Sequence, residues 1–488
     1  MRNIGGKLSV HPLWATKHKY KGTELRLING KYYLYEVSSK WDPQKKRAKK
    51  ISGRILGRIT KKDGFVESEK TKLRKNQLKI LSLSTKEYGL TAFIQSHLSE
   101  YEVLLKKHFP GYWEIILILT YGRFAHKSAM KNMEFHYLHS YLSEIYPNVS
   151  ISSKKLSYIL REIGAKRENI TDFFNEFSTA NDNIIFDGTD LLSSSKKMDI
   201  TKFSKSKKGT YDSLLNIMFV FSVGLQLPIY YRISAGNIKD IKAFKLSLKE
   251  SNIKNAVIIA DKGFYSITNI NELKAENLLF IIPLRRNNKH ICYNKIENSN
   301  KKSFEGYFKY NKRIIWFYSI EIESEKITVF LDDELKVEET KDYLSRVDVF
   351  PEKYDLETFH KKQKAFGTIT LMHNTNKKPD ELYIDYKSRG QVEEMIDVLK
   401  NVVKSDKSYM QNELALEAWM FINYIALHWY YKIMNLLKKY ELNNKYSPMD
   451  LVDFLKEIRK VKINNNWYNS EITKKTSDLL EKIGVHIT

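Results

Sequence analysis

Asn183-Ile184-Ile185-Phe186-Asp187-Gly188-Thr189-Asp190-Leu191-Leu192 reads as a strand with a carboxylate near the middle of an apolar run. Burying an acid there is costly unless a cation or hydrogen-bond donors compensate it, so Asp187 requires a partner. Working outward, Leu214 to Val223 forms a second strand and Pro228 to Ser234 a third, and the short connection from Gly224 to Leu227 predicts an antiparallel hairpin. Ile238 to Leu248 reads as a helix, Ala256-Val257-Ile258-Ile259-Ala260 as a fully buried strand and Leu278 to Pro283 as another. This alternation predicts a mixed sheet with helical crossovers. Asp261 follows the buried strand directly, at the carboxyl edge where open α/β sheets bind ligands. Taken singly, Asp187 is better explained as a hydrogen-bonded strand residue and Asp261 as a turn or helix cap.

Three further strand-like runs, Ser303 to Tyr310, Arg313 to Ile322 and Lys326 to Leu331, predict an antiparallel meander inserted into the α/β region. Beyond it, Asp380 is placed to cap one long helix from near Glu381 to about Val403. Tyr386, Arg389, Glu393 and Lys400 are spaced 3, 4 and 7 apart. They fall within about 60° of one another on a helix surface, and Val392, Met395, Ile396, Leu399 and Val403 fill a separate arc of about 100°. One helix thus carries an apolar docking face and a polar stripe. The plain alternative is a solvated face with an Arg389 to Glu393 ion pair. Glu394, Asp397 and Asp385 are competing acids, less well placed.

Over 488 residues, 42% hydrophobic and 28% charged is a globular profile that excludes disorder, collagen or coiled coil for the whole chain and suggests several domains. Lys and Arg number 82 against 57 Asp and Glu, a net +25, and residues 1–80 hold 22 against 6, a net +16. With that asymmetry the natural counter-charge is nucleic acid. Lys45, Lys46, Arg47, Lys49 and Lys50 form the densest cluster, near Tyr32, Tyr33, Tyr35 and Trp41, in a segment expected to fold as short strands and turns. Leu90 to about Phe177 is patterned as helices, with Ser152 or Ser153 as a cap. His136 and His139 lack a nearby third ligand and are expected to pack. The six lysines between Lys196 and Lys208 read equally as a contact to flanking DNA or as a surface loop. The single cysteine, Cys292, allows neither an intrachain disulfide nor a thiolate zinc cluster. The opening MRNIGGKLSV lacks a signal-like apolar core, and Leu414 to Met434 is interrupted by Glu417, Asn423, His428 and Lys432. A cytoplasmic protein with no membrane span is expected.

The combination Asp187-Gly-Thr, Asp261-Lys-Gly-Phe-Tyr-Ser and Tyr386-x2-Arg389-x3-Glu393-x6-Lys400 resembles the signature of DDE transposases of prokaryotic insertion sequences, in the cut-and-paste branch named for that Tyr, Arg, Glu and Lys. Gly236-Asn237 with Asp240, and the run from Tyr32 to Asp42, are similar to further segments of those enzymes. The resemblance implies a multidomain α/β protein whose RNase H-like (retroviral-integrase-like) mixed-sheet core is interrupted by an antiparallel β insertion, with a basic N-terminal domain and helical flanking regions. The expected domains are residues 1–90, basic and β-containing; 91–180, helical; 181–285, the first part of the core; 286–368, the β insertion; 369–410, the glutamate helix; and 411–488, C-terminal helices.

The resemblance further implies that Asp187, Asp261 and Glu393 are catalytic and hold two Mg²⁺ ions, with Mn²⁺ able to substitute; such hard cations take oxygen ligands and need neither cysteine nor histidine. Tyr386, Arg389 and Lys400 are implied to hold DNA phosphates. Trp316 is the candidate for stacking on an extruded base, with sheet packing as the alternative. The implied partners are double-stranded DNA, as transposon ends and target, and a second copy of the chain on DNA, in the prokaryotic nucleoid. The implied activity is binding of terminal inverted repeats, phosphodiester cleavage and strand transfer. A related nuclease without strand transfer and a silent DNA-binding relative are the alternatives.

Overall fold

Asn29 and Gly30 both adopt positive φ (47° and 71°), as a two-residue type I′ turn requires, and close the hairpin between β1 (Thr23–Ile28) and β2 (Lys31–Asp42). β3 (Arg47–Thr60) and β4 (Gly64–Glu67) complete a four-stranded antiparallel sheet in the order β1-β2-β3-β4. The computed structural model describes residues 11–75, 82–177, 181–206, 209–236, 240–251, 253–297, 301–322 and 325–487. It divides into two units: residues up to Ser84 with Lys462–Asn466, and Thr85–Val461 with Trp467 onward. In the first unit, strands expected to be short run to 12 residues in β2 and 14 in β3. Their base encloses a small core of Ala15, Leu25, Leu34 and Ile59, whereas residues 47–55 of β3 are all exposed.

β5 (Leu83–Glu87) leads into helices that lie between Gly89 and Asn175. The chain then lays down β6 (Asn183–Ser193), β7 (Lys202–Lys205), β8 (Tyr211–Ser222), β9 (Leu227–Ala235), β10 (Val257–Ala260), β11 (Leu279–Pro283), β12 (Gly306–Tyr310), β13 (Arg313–Ile322), β14 (Glu325–Asp332), β15 (Thr368–His373) and β16 (Lys407–Ser408). All eleven belong to one mixed sheet, with the path β12-β13-β14-β15-β11-β10-β6-β8-β7, β16 on β6 and β9 on β8. β10 is parallel to β6 and to β11, and β8 is antiparallel to β6 and β9.

The meander inserted into the α/β region joins the main sheet at its edge: β14 pairs with β15, and β15 with β11. Periodicity marks strands but not their partners. Several expectations need correction. The stretch between β14 and β15 also holds helices Asp333–Val349 and Leu356–Lys362, whose Asp332 and Asp355 caps accept from the Leu335 and Thr358 N–H groups. Their sparse apolar residues gave no amphipathic signal. The single helix expected up to Val403 is three segments: Pro379–Lys387, Gly390–Asp397 and a π-helical turn, Val398–Val402. Lys378, not Asp380, is the N-cap, because Pro379 takes the first helical position. Part of the lysine-rich loop is strand β7, and Arg459–Ile463 and Asn466–Asn469 are strands where helix was expected. Asn237, Lys207 and Lys208 lie outside the described residues. Ser152 is an N-cap, but its side chain makes no capping bond.

Helix Glu413–Lys439 is buried over most of its 27 residues. It packs on β9 and on helices Trp113–His126 and Ser153–Gly164, so helical region and sheet share one core. Fully burying each Leu, Ile or Phe there contributes about 1.5–3 kcal/mol. Gly164 permits the approach: a Cβ on it would lie 1.8 Å from the Leu414 carbonyl oxygen. Among the described residues, no helix is long and apolar enough to cross a membrane.

Candidate active site

Parallel pairing of β6 with β10 sets Phe186 opposite Ala260, so Asp187 and Asp261 each follow one member of the same pair. Val392, Met395 and Leu399 are buried and dock helix Gly390–Asp397 and its π-turn, which carries Glu393 to the same edge with Arg389 at the helix N-cap. Arg389 joins the acids: Nη1 lies 3.9 Å from Asp187 Oδ2 and 4.0 Å from Asp261 Oδ1, and Nη2 lies 2.6 Å from Glu393 Oε1. Three carboxylates far apart in sequence thus meet around one guanidinium. Side-chain exposure rises from 11% at Asp187 to 35% at Asp261 and 55% at Glu393, so Asp187 is the floor of the site and Glu393 its mouth. Asp187 Oδ1 also accepts from the Gly188 N–H at 2.8 Å. Burial pushes the Arg389 pKa down, but Glu393, Asp261, Tyr386 and Asp187 outweigh it and hold it above its ordinary value.

The flanks differ in sign. On one side a cavity of about 410 Å³ is lined by Asp190, Asp212, Glu393, Asp397, Lys400 and Asp406. Lys400 turns onto β6, donating to Thr189 Oγ1 and the Asp190 carbonyl, both at 2.7 Å. On the other side a cavity of about 610 Å³ is lined by Lys262, Arg285, Arg286, Glu339 and Tyr386, with Arg286 Nη2 2.9 Å from Glu339 Oε1. Cations gathered there can take phosphate. Arg285 and Arg286 follow β11 as Asp261 follows β10, a signal that was legible and passed over. Burial raises the Tyr386 phenol pKa, partly offset by Arg389.

Of the competing acids, Asp385 is bound to Lys377 Nζ at 2.5 Å and to Asn183 Nδ2 at 2.8 Å, a structural role. Trp316, half-buried on β13, packs against Tyr307 and Phe304 with the Lys301 ammonium 5.4 Å from its ring centroid. Lys45 and Lys46 lie in the turn between β2 and β3, and Arg47, Lys49 and Lys50 on β3, all exposed. His136 stacks on His126 at 4.1 Å.

Sequence reasoning missed Arg123, which is 4% exposed. Its Nη2 donates to the Val403 and Lys404 carbonyls at 2.8 and 3.0 Å, and its Nε to Asn423 Oδ1 at 2.7 Å. It thereby clamps the end of the π-turn that carries Lys400. An arginine inside an apolar helical run is the only hint of it in the sequence.

Among the described residues no three His, Cys, Asp or Glu side chains stand as a ready-made metal cage. The donor set is nonetheless all carboxylate, as hard divalent cations prefer, and it already attracts a cation in the Arg389 guanidinium. The residues therefore fit such an ion, provided Arg389 withdraws.

The mixed sheet thus brings one acid from the middle of β6, one just past β10 and one from a docked helix onto a single guanidinium. A family model described as a transposase DDE domain matches residues 180–429, just over half of the chain, and the chain belongs to that family. Among solved structures it is similar to a piggyBac transposase synaptic complex with hairpin DNA, at 11% identity and a TM-score of 0.42, over 76% of this chain and 79% of that one. No curated protein sequence matches it.

Proposed function

We propose that the chain is the transposase of a prokaryotic insertion sequence, which binds terminal inverted repeats, cuts DNA at the element's ends and joins them to a target. The observation that carries this reading is the convergence of Asp187, Asp261 and Glu393 on Arg389 at the carboxyl edge of a parallel strand pair. The order β9-β8-β6-β10-β11 supports an RNase H-like core. Asp187, Asp261 and Glu393 would hold two Mg²⁺ or Mn²⁺ ions. When bound, such ions make water and then a 3′-hydroxyl nucleophilic and neutralise the leaving oxygen.

The chain's own groups position the substrate. Arg389, turned from the acids, grips a phosphate bidentately, and Lys400 acts as a point charge. Tyr386, a protonated phenol at neutral pH, donates its hydrogen. Trp316 stacks on an extruded base, and Lys45, Lys46, Arg47, Lys49 and Lys50 contact duplex DNA. Synapsis of two ends requires two copies of the chain, working in the cytoplasm at the nucleoid.

The test incubates the protein with Mg²⁺, its element's end sequence and a target plasmid, beside Asp261→Asn. Cut and joined products that vanish in the variant are expected. Cutting without joining would instead support a nuclease, and binding without chemistry a silent relative.

A further inference from the structure

The ribbon of β2 and β3 outside the small core has two chemically different faces. Val37/Ser52, Ser39/Lys50 and Trp41/Ala48 are cross-strand pairs on one face; Ser38/Ile51, Lys40/Lys49 and Asp42/Arg47 lie on the other. The first face is neutralised within the fold. Lys50 pairs with Glu24 at 2.5 Å, and Arg26, also paired with Glu24, donates to Ser52. On the second face Lys40, Arg47 and Lys49 make no ion pair among the described residues. Asp42 is engaged by the turn, accepting from the Gln44 and Lys45 N–H groups at 3.1 and 3.3 Å. Lys40 stands directly opposite Lys49. Like charges so placed destabilise a sheet, and the one acid on this face, Asp42, stands opposite Arg47, so the face keeps a net positive charge. Since residues 47–55 are all exposed, the fold itself covers neither face.

We propose that the Lys40, Arg47 and Lys49 face enters the major groove of duplex DNA. The inference rests on the reading of the chain as a DNA-binding protein and adds which surface reads which groove. A two-stranded ribbon fits a groove about 12 Å wide, and lysine and arginine there meet guanine O6 and N7 as well as the flanking phosphates. The six paired positions from Val37 to Asp42 extend about 20 Å at about 3.3 Å per residue, over half a turn of DNA. The polyanion supplies the neutralisation that the ribbon lacks.

The test uses the full chain and a fluorescent mixed-sequence duplex of about 30 base pairs, with affinity measured across a KCl series. At about 0.9 per phosphate contact, the triple variant K40S/R47S/K49S lowers the slope of log Kd against log[KCl] by about 2–3. R26S, at the Glu24-paired Arg26 outside that face, and the charge-keeping K40R/K49R leave the slope unchanged, and circular dichroism verifies that each variant is folded. Methylating guanine N7 in the duplex weakens the wild type and not the triple variant. A folded triple variant with the wild-type slope overturns the ribbon's role while leaving DNA binding intact. A wild type whose affinity ignores salt overturns both readings. If instead the triple variant changes the oligomeric state without DNA, in sedimentation velocity, the face belongs to a second copy of the chain and the proposal fails.

Discussion

Replacing Arg389 with Gln removes the guanidinium that Asp187, Asp261 and Glu393 share. At the effective dielectric near a protein surface, about 20, each contact near 4 Å is worth at most about 4 kcal/mol before desolvation. The half-exposed Glu393 pair adds only about 0–1 kcal/mol. Burying the guanidinium opposes these gains, so R389Q is expected to lose about 2–3 kcal/mol, with the acids left to repel one another. In EDTA its melting temperature should fall by a few degrees, since about 1 kcal/mol shifts a unit of 150–250 residues by about 2–4 °C and this larger unit by less. Divalent metal then takes the vacated place. Differential scanning fluorimetry with and without Mn²⁺ should show a larger metal-induced rise in R389Q than in wild type, because a ligand that binds only the folded state stabilises it in proportion to its affinity. DNA cleavage in Mn²⁺ should be lost in R389Q, because the phosphate grip is gone. A variant that melts like wild type in EDTA, or gains no more from Mn²⁺, would refute the reasoning that these acids and Arg389 form one electrostatic unit.

Arg123→Met leaves the Val403 and Lys404 carbonyls without their donor, and about 3–5 kcal/mol of stability should disappear in urea titrations. Cleavage should fall at least about tenfold at unchanged DNA affinity, with partial recovery in Arg123→Lys. Burial pushes His428 down to about 3 and His373 down to about 4. Because the unfolded chain protonates first, near pH 6.5, stability is full above that pH and declines below it, by about 2 kcal/mol per histidine at pH 5. Urea midpoints that hold constant from pH 7 to pH 5 would contradict this. Trp316→Ala should slow processing of an element end by about 5- to 150-fold, the equivalent of about 1–3 kcal/mol of stacking. A wild-type rate in a single-turnover assay would return Trp316 to sheet packing alone.

The acids were legible because each contradicts its surroundings: Asp187 interrupts Ile184-Ile185-Phe186, and Asp261 ends Val257-Ile258-Ile259-Ala260. The apolar arc of Val392, Met395 and Leu399 likewise announced which side of the glutamate helix is buried. What stayed hidden depends on tertiary partners. Nothing local says that β14 pairs with β15, that Ser388 and Arg389 break the helix, or that Lys400 turns back to Thr189. Arg123 was hard to read for the same reason: backbone carbonyls and the distant Asn423 and Ser405 side chains satisfy its donors. The long β2–β3 ribbon was underestimated because neither of its outer faces alternates apolar with polar, the pattern by which strands are recognised.

The most direct test of the central claim is anomalous diffraction from a crystal of the protein with its end DNA, soaked in Mn²⁺. The account predicts manganese ligated by Asp187, Asp261 and Glu393, with Arg389 moved from the acids to a phosphate. Manganese bound elsewhere, or Arg389 still seated among the three carboxylates at saturating metal, would contradict it.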